Sequence, residues 1–279
     1  MQSEIESGAQ LLVRLNSKPS LRGLDDTLFP EGFRHTDIIE INGERSTGKT
    51  LLLSQMLAKC ILPDYYGSVR IKGCNASVIL INTDHHFQVS KLIDVMNNIV
   101  DAACTVPLKS ETFKTNSEKI SIVQNSLRNL YIINCYNSEQ FFLTLRTLDD
   151  VFLDNSEIAL LAIDSITAYY WQDRENNSNI TVNTYIRKLL QLATVHTTRF
   201  NVATMYTRPP ESIVNYKGKK FMTDFLTDTG EYYKIHLHKI HDSQDLMCTL
   251  ETEQTVRRVR YSILSNGIKW KVNKGEEKG

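Results

Sequence analysis

The sequence has too few cysteines, in the wrong places, for a stapled or metal-bound fold. Its five cysteines (Cys60, Cys74, Cys104, Cys135, Cys248) are odd in number and scattered, and no two stand at C-x-x-C spacing. That argues against a disulfide framework or a zinc site and for a reducing compartment. An excess of one charge is also missing. The 32 basic and 32 acidic residues cancel, so a globally basic nucleic-acid binder is not indicated, while a local patch stays open. The start, MQSEIESGAQ, has no basic segment leading into an apolar one, so no secretory signal is expected. No apolar run approaches the ~18 residues that span a bilayer. The expectation is a soluble intracellular protein without membrane contact.

What is present is enough apolar material for a sizeable core, 41% of the chain. Short, β-branched, nearly all-apolar runs recur: DIIEIN (37–42), SVILIN (77–82), LYIINC (130–135), EIALLAID (157–164) and FNVATMY (200–206). Such runs suit strands buried on both faces of a parallel sheet. Helical patterns lie between them: GKTLLLSQMLAKC, FQVSKLIDVMNNIV, SEQFFLTLRTLDDVF and TVNTYIRKLLQLATVHTTR. Pro63 closes the first and Ser138 is placed to cap the third. Alternating strands and helices predict right-handed crossovers and one doubly wound α/β domain. EYYKIHLHKIHD, LMCTLE and RVRYSILSNGIKW then read as successive strands without helices, with Asn266-Gly267 as a hairpin turn. They predict an antiparallel extension of the sheet. Residues 64–76, 104–129 and 207–230 read as loops. The expected organisation is a short N-terminal segment (1–35), a core (36–272) and a frayed tail (273–279).

The chemistry starts at GERSTGKT, residues 43–50, which satisfies G-x-x-x-x-G-K-[ST]. Gly43 and Gly48 let the backbone turn, so that N–H groups of Glu44, Arg45, Ser46, Thr47 and their neighbours can face a phosphate at a helix N-terminus. Lys49 can reach the β- and γ-phosphates of a nucleotide, and the Thr50 hydroxyl can ligate Mg²⁺. The motif follows a buried strand and opens a helix, which is the context it requires. ALLAIDS (159–165) supplies Asp164 at the C-terminal end of another strand, where a carboxylate can hold Mg²⁺. Asp84, in INTDHHF, ends a third strand and is a candidate to orient the attacking water, against a plain turn or cap role. His85 and His86 read as a surface pair.

Three stretches bear on nucleic acid. The aromatic-basic TAYYWQDRE (167–175) favours packing against a helix over base stacking. In the 207–230 connection, Arg208, Lys217, Lys219 and Lys220 are candidate DNA contacts, against a solvated loop. From Gln254 to Gly279, seven basic residues face two acidic ones, and strand alternation would collect such charges on one face.

With these motifs placed, the chain resembles the RecA-family recombinases and their eukaryotic paralogues. LDDTLFPEGFRHTDIIEINGERSTGKT resembles the approach to that family's ATPase core. ESGAQLLVRL (6–15), LAKCILP (57–63), INTDHHF (81–87), FFLTLRTL (141–148) and IDSITAYYWQDR (163–174) extend the resemblance from residue 1 to about residue 206. It implies a RecA-like P-loop fold, ATP and Mg²⁺ as cofactors, and a nuclear accessory subunit in homologous recombination repair of DNA double-strand breaks. The implied partner is another recombinase paralogue, with single-stranded or branched DNA bound through the complex.

Three departures temper an active-recombinase reading. Only about 35 residues precede the first strand, so the chain is expected to accept a partner's Phe-x-x-Ala linker but not to donate one. Its only such sequence, Phe200 to Ala203, is expected to be core packing. Asp84 aligns with a catalytic glutamate, one methylene longer, and Arg208 with a γ-phosphate-sensing glutamine. Weak or absent hydrolysis in isolation is therefore expected. An active DNA-stimulated ATPase and a small-molecule P-loop kinase remain as alternatives.

Overall fold

The computed structural model describes residues 6–104, 116–176, 180–210, 230–240 and 245–271. The buried runs form β1 (Ile38–Gly43), β4 (Ser77–Asn82), β5 (Leu130–Asn134), β6 (Ile158–Asp164) and β7 (Ala203–Arg208). β8 (Tyr232–Lys239), β9 (Leu246–Glu251), β10 (Val256–Leu264) and β11 (Gly267–Lys271) complete a nine-stranded sheet of order β11-β10-β9-β8-β1-β7-β6-β4-β5. A separate small hairpin, β2 (Tyr65–Tyr66) with β3 (Val69–Arg70), occupies the first expected loop.

β8 runs parallel to β1, so the antiparallel extension begins only at β9. Every residue of β1, β4, β6 and β7 is buried, as helices on both faces require, whereas the edge strand β5 is only partly covered.

On one face lie α2 (Lys49–Ile61), α3 (Val89–Cys104) and α4 (Asn116–Leu127). α2 buries Leu52, Leu53, Met56, Leu57, Cys60 and Ile61, a stripe that recurs every helical turn. Residues Leu21, Leu24, Leu28, Phe29 and Phe33 join the same core. On the other face lie α5 (Ser138–Arg146), α6 (Leu148–Asp154), α7 (Tyr170–Asn176) and α8 (Val182–Arg199). Their core partners include Ile79, Ile81, Leu161, Ile163 and Tyr206.

Four further expectations change. The 104–129 segment contains α4, which places Ile122 and Val123 in the core. The third helix is two helices broken at Thr147, which caps the end of α5 and the start of α6. Its N-cap is Asn137, whose side chain accepts from the Gln140 N–H, and not Ser138. The last parallel strand of the five apolar runs starts at Ala203, because Phe200 still ends α8; both residues of that Phe-x-x-Ala sequence are buried.

A short helix, α1 (Gly8–Asn16), precedes the core. Ser7 caps it with a reciprocal Gln10 contact. Arg14 ties it to the Leu153 carbonyl at 3.0 Å, and Lys18 donates to the Ile158 carbonyl at 3.0 Å.

Candidate phosphate-binding site

β1 delivers Gly43 to the C-terminal edge of the sheet, and α2 starts at Lys49. Gly43 has to be glycine, because a Cβ there would overlap the Leu237 carbonyl of β8. Ser46 (φ 61°) and Gly48 (φ 89°) adopt left-handed backbone on either side of Thr47. Such alternation curls the chain into a concave row of N–H groups. Lys49 folds back onto this loop, donating to the Gly43 and Glu44 carbonyls at 2.7 and 2.9 Å. The Thr47 hydroxyl donates to the Glu44 carbonyl at 2.8 Å. Glu44, Arg45 and Ser46 are exposed at the tip, while Thr47 is buried.

Asp164 ends β6, two strands away, and is only 3% exposed. Its Oδ1 accepts from the Thr207 hydroxyl at 2.5 Å. Its Oδ2 is buried with no hydrogen-bond partner among the described residues. Burial raises the Asp164 pKa, which the Thr207 and Thr50 hydroxyls and Lys49 partly offset. Asp84 is drawn to the same place by backbone bonds: the Thr83 and Asp84 N–H groups both donate to the Asp164 carbonyl, at 2.8 and 3.1 Å. Asp84 is exposed, yet partial desolvation raises its pKa, countered by His86, His85 and Lys49. Desolvation also lowers the pKa of Lys49, against Asp164 and Asp84.

Lys49, Thr50, Asp84 and Asp164 therefore converge at the C-terminal edge of the sheet. A buried carboxylate oxygen without a donor, beside a Thr hydroxyl, fits a hard divalent cation, which prefers oxygen ligands. Thr50 and Asp164 would hold Mg²⁺, and the Gly43–Thr50 loop the phosphates. When bound, the metal would neutralise phosphate charge.

Arg208 departs from expectation. It is the last residue of β7, not an exposed loop cation, and it is 3% exposed. Its guanidinium lies 3.7 Å from Glu40 and donates to Asn183 at 3.3 Å. A guanidinium enclosed there is not presented to a DNA backbone. Lys217, Lys219 and Lys220 lie outside the described residues.

Glu40 escaped notice in the sequence. Fully buried in β1, it accepts from Tyr206 and Tyr232 hydroxyls at 2.7 and 2.6 Å and from Asn42 at 2.8 Å, with Lys234 at 3.9 Å. Burial would raise its pKa, but Arg208, Lys234 and the two phenols outweigh that and hold it below the ordinary value. The visible signal was a carboxylate inside the apolar run DIIEIN.

In the aromatic stretch, Tyr170 packs in the core and Tyr169 donates to the Cys135 carbonyl at 2.5 Å, as packing required. Trp171 does not: it is 66% exposed, with the Arg174 guanidinium 5.3 Å over its ring. His85 is exposed, as expected, and stacks on Tyr136 at 4.7 Å. In the C-terminal hairpin, Arg260 stands opposite Lys271 and Lys269 opposite Ser262. Arg258 is two residues from Arg260, so these four exposed cations share one face.

Strand order, crossover helices and phosphate loop together define a RecA-like domain. The Rad51 family profile matches residues 19–241. The chain belongs to the Rad51 family. DNA repair protein XRCC2 of Mus musculus is 32% identical over 171 residues, 61% of this chain and 54% of that protein. The DNA repair protein XRCC2 homolog of Arabidopsis thaliana is 26% identical over 181 residues, 58% of this chain and 48% of its own. The DNA repair and recombination protein RadA of Methanoculleus marisnigri is 22% identical over 180 residues, 61% of this chain and 49% of RadA. The chain thus spans about half the length of the curated relatives it matches.

Proposed function

We propose that this chain is an ATP- and Mg²⁺-binding accessory subunit of a recombinase-paralogue complex that acts in homologous recombination repair of DNA double-strand breaks in the nucleus. The observation that carries nucleotide binding is the buried, unpartnered Asp164 Oδ2 beside Thr50 and Lys49. A carboxylate oxygen kept dry without a partner costs stability, so its place is best accounted for by a cation. Names of relatives that include DNA repair and recombination support the repair role.

The partner is another recombinase paralogue. Support comes from β5, the parallel edge of the sheet, which leaves one row of backbone N–H and C=O groups unpaired by any described strand. Tyr131 on that strand is partly open, and Leu143 of α5, a helix on the same side of the sheet, is exposed. An extended, apolar linker strand from the partner suits such an edge. DNA is met through the complex, with the Arg258, Arg260, Lys269 and Lys271 row as this chain's own contribution.

Asp84 is the water-orienting residue, and its short side chain keeps hydrolysis weak. The test is nucleotide binding and turnover by the purified chain, alone and with a paralogue partner, beside Lys49→Ala. Mg²⁺-dependent binding lost in Lys49→Ala, with little turnover, is the expected result. Robust DNA-stimulated turnover would replace the accessory reading with that of a working motor. No binding in either state would sink the nucleotide reading.

A further inference from the structure

We propose that Tyr261, far along the chain on β10, is a positioning residue for the phosphate loop, holding the Thr47–Gly48 peptide in the orientation that binds phosphate. The inference rests on the nucleotide-binding reading above and adds to it a residue that no loop motif contains.

Tyr261 is 1% exposed, and its hydroxyl donates to the Thr47 carbonyl at 2.7 Å. Its ring is set by Trp270, opposite it on β11, at 5.8 Å in an edge contact. Trp270 is fixed in turn by its Nε1–H donating to Asp25 at 2.9 Å. The hairpin also reaches α2, where the Ile268 N–H donates to the Gln55 side chain at 2.8 Å. Ile263 and Ile268 methyls lie against Gly48. The β10–β11 hairpin is thus the back wall of the loop.

A trans peptide is planar, and its C=O and N–H point in opposite directions. Fixing the Thr47 carbonyl on the hairpin side therefore aims the Gly48 N–H away from the hairpin. Gly48, at φ 89°, has no side chain to resist rotation of that peptide. A flipped peptide would turn a carbonyl where an N–H is needed and repel an anion. The Thr47 hydroxyl is engaged with the Glu44 carbonyl and leaves the bond to Tyr261 undisturbed. Burial keeps the phenol protonated, so it stays a donor. Affinity scales with the fraction of molecules in the competent conformation. The phenol raises that fraction before any ligand arrives.

The test compares the full chain with Tyr261→Phe, which keeps the ring, and Phe152→Leu, which loosens the core on the opposite face of the sheet, where Phe152 packs on Phe200. Two readouts are taken: ¹⁵N relaxation dispersion at Thr47 and Gly48 in ligand-free protein, and affinity for ADP and a non-hydrolysable ATP analogue. Tyr261→Phe is expected to introduce μs–ms exchange at Gly48 and to lower nucleotide affinity about 3- to 10-fold. Phe152→Leu should lower the melting temperature while leaving both readouts at wild-type values. Wild-type dispersion in Tyr261→Phe overturns the proposal, and so do equal changes in both variants, which would make Tyr261 mere packing. If the wild type binds no nucleotide, the nucleotide reading falls and dispersion alone decides the role of Tyr261.

Discussion

The guanidinium of Arg208 on β7 lies 3.7 Å from the carboxylate of Glu40 on β1, and both side chains are buried on the face of the sheet that α8 covers. Lys234 of β8 completes a charged group that spans three adjacent strands. Removing one partner from such a group is costlier than never having had it, because the other charges stay buried. Glu40→Ala should therefore cost about 3–5 kcal/mol of folding free energy, read by urea unfolding. The pH dependence has a definite sign. The folded pKa of Glu40 is depressed, so its stabilisation is complete above the unfolded carboxylate value and is lost as pH falls through the folded one. The difference between wild type and Glu40→Gln should shrink on acidification. A gap that is constant in pH would refute the pairing.

Asp164 behaves in the opposite way. Its pKa is raised by burial, so the ligand-free protein bears a cost that is fully present above the folded value and disappears below the unfolded one. Asp164→Asn should stabilise the ligand-free protein at neutral pH by ~1 kcal/mol, about 2–4 °C in Tm, a function-for-stability exchange. The same variant should lose Mg²⁺-dependent nucleotide binding. Destabilisation of the ligand-free variant would mean that the carboxylate serves the fold.

Much of this arrangement was legible in the sequence, and the reasons for the rest are local. β1, β4 and β6 are nearly all-apolar runs, a pattern that suits a doubly covered strand. The phosphate loop and Asp164 carry their own spacing signal. α4 was hidden because Asn116–Leu127 is mostly polar, and its buried apolar pair, Ile122 and Val123, is adjacent and gives no periodicity. The break at Thr147 was invisible because apolar spacing runs on through it. β8 has a strand's composition, but a strand's direction depends on its preceding connection. The partners of Glu40 lie 166 and 192 residues away, and Tyr261 is 214 residues from Thr47. A single sequence holds no record of such pairings.

The β5 edge offers a separable test of assembly. Leu143 is 63% exposed, so Leu143→Asp should leave stability within about 0.5 kcal/mol. Association with a paralogue partner, followed by calorimetry or co-purification, should weaken at least tenfold, because a charge on an apolar docking face must be desolvated without a counter-ion. Unchanged association would place the partner elsewhere.

On the proposed reading, Asp84 sets the limit on turnover. Its backbone is held to β6 through the Asp164 carbonyl, so the carboxylate cannot advance by moving the strand end. The missing reach can come only from a longer side chain. Misplacing a reacting group by ~1 Å can cost about a hundredfold, so Asp84→Glu is expected to raise ATP turnover at least about tenfold with little change in nucleotide affinity. A rise in kcat at constant KM is the signature of better water placement. A fall in both would mean that Asp84 shapes the ground-state pocket. Turnover that stays flat, with Lys49→Ala still abolishing binding, would move the deficiency to the residues a partner subunit must supply.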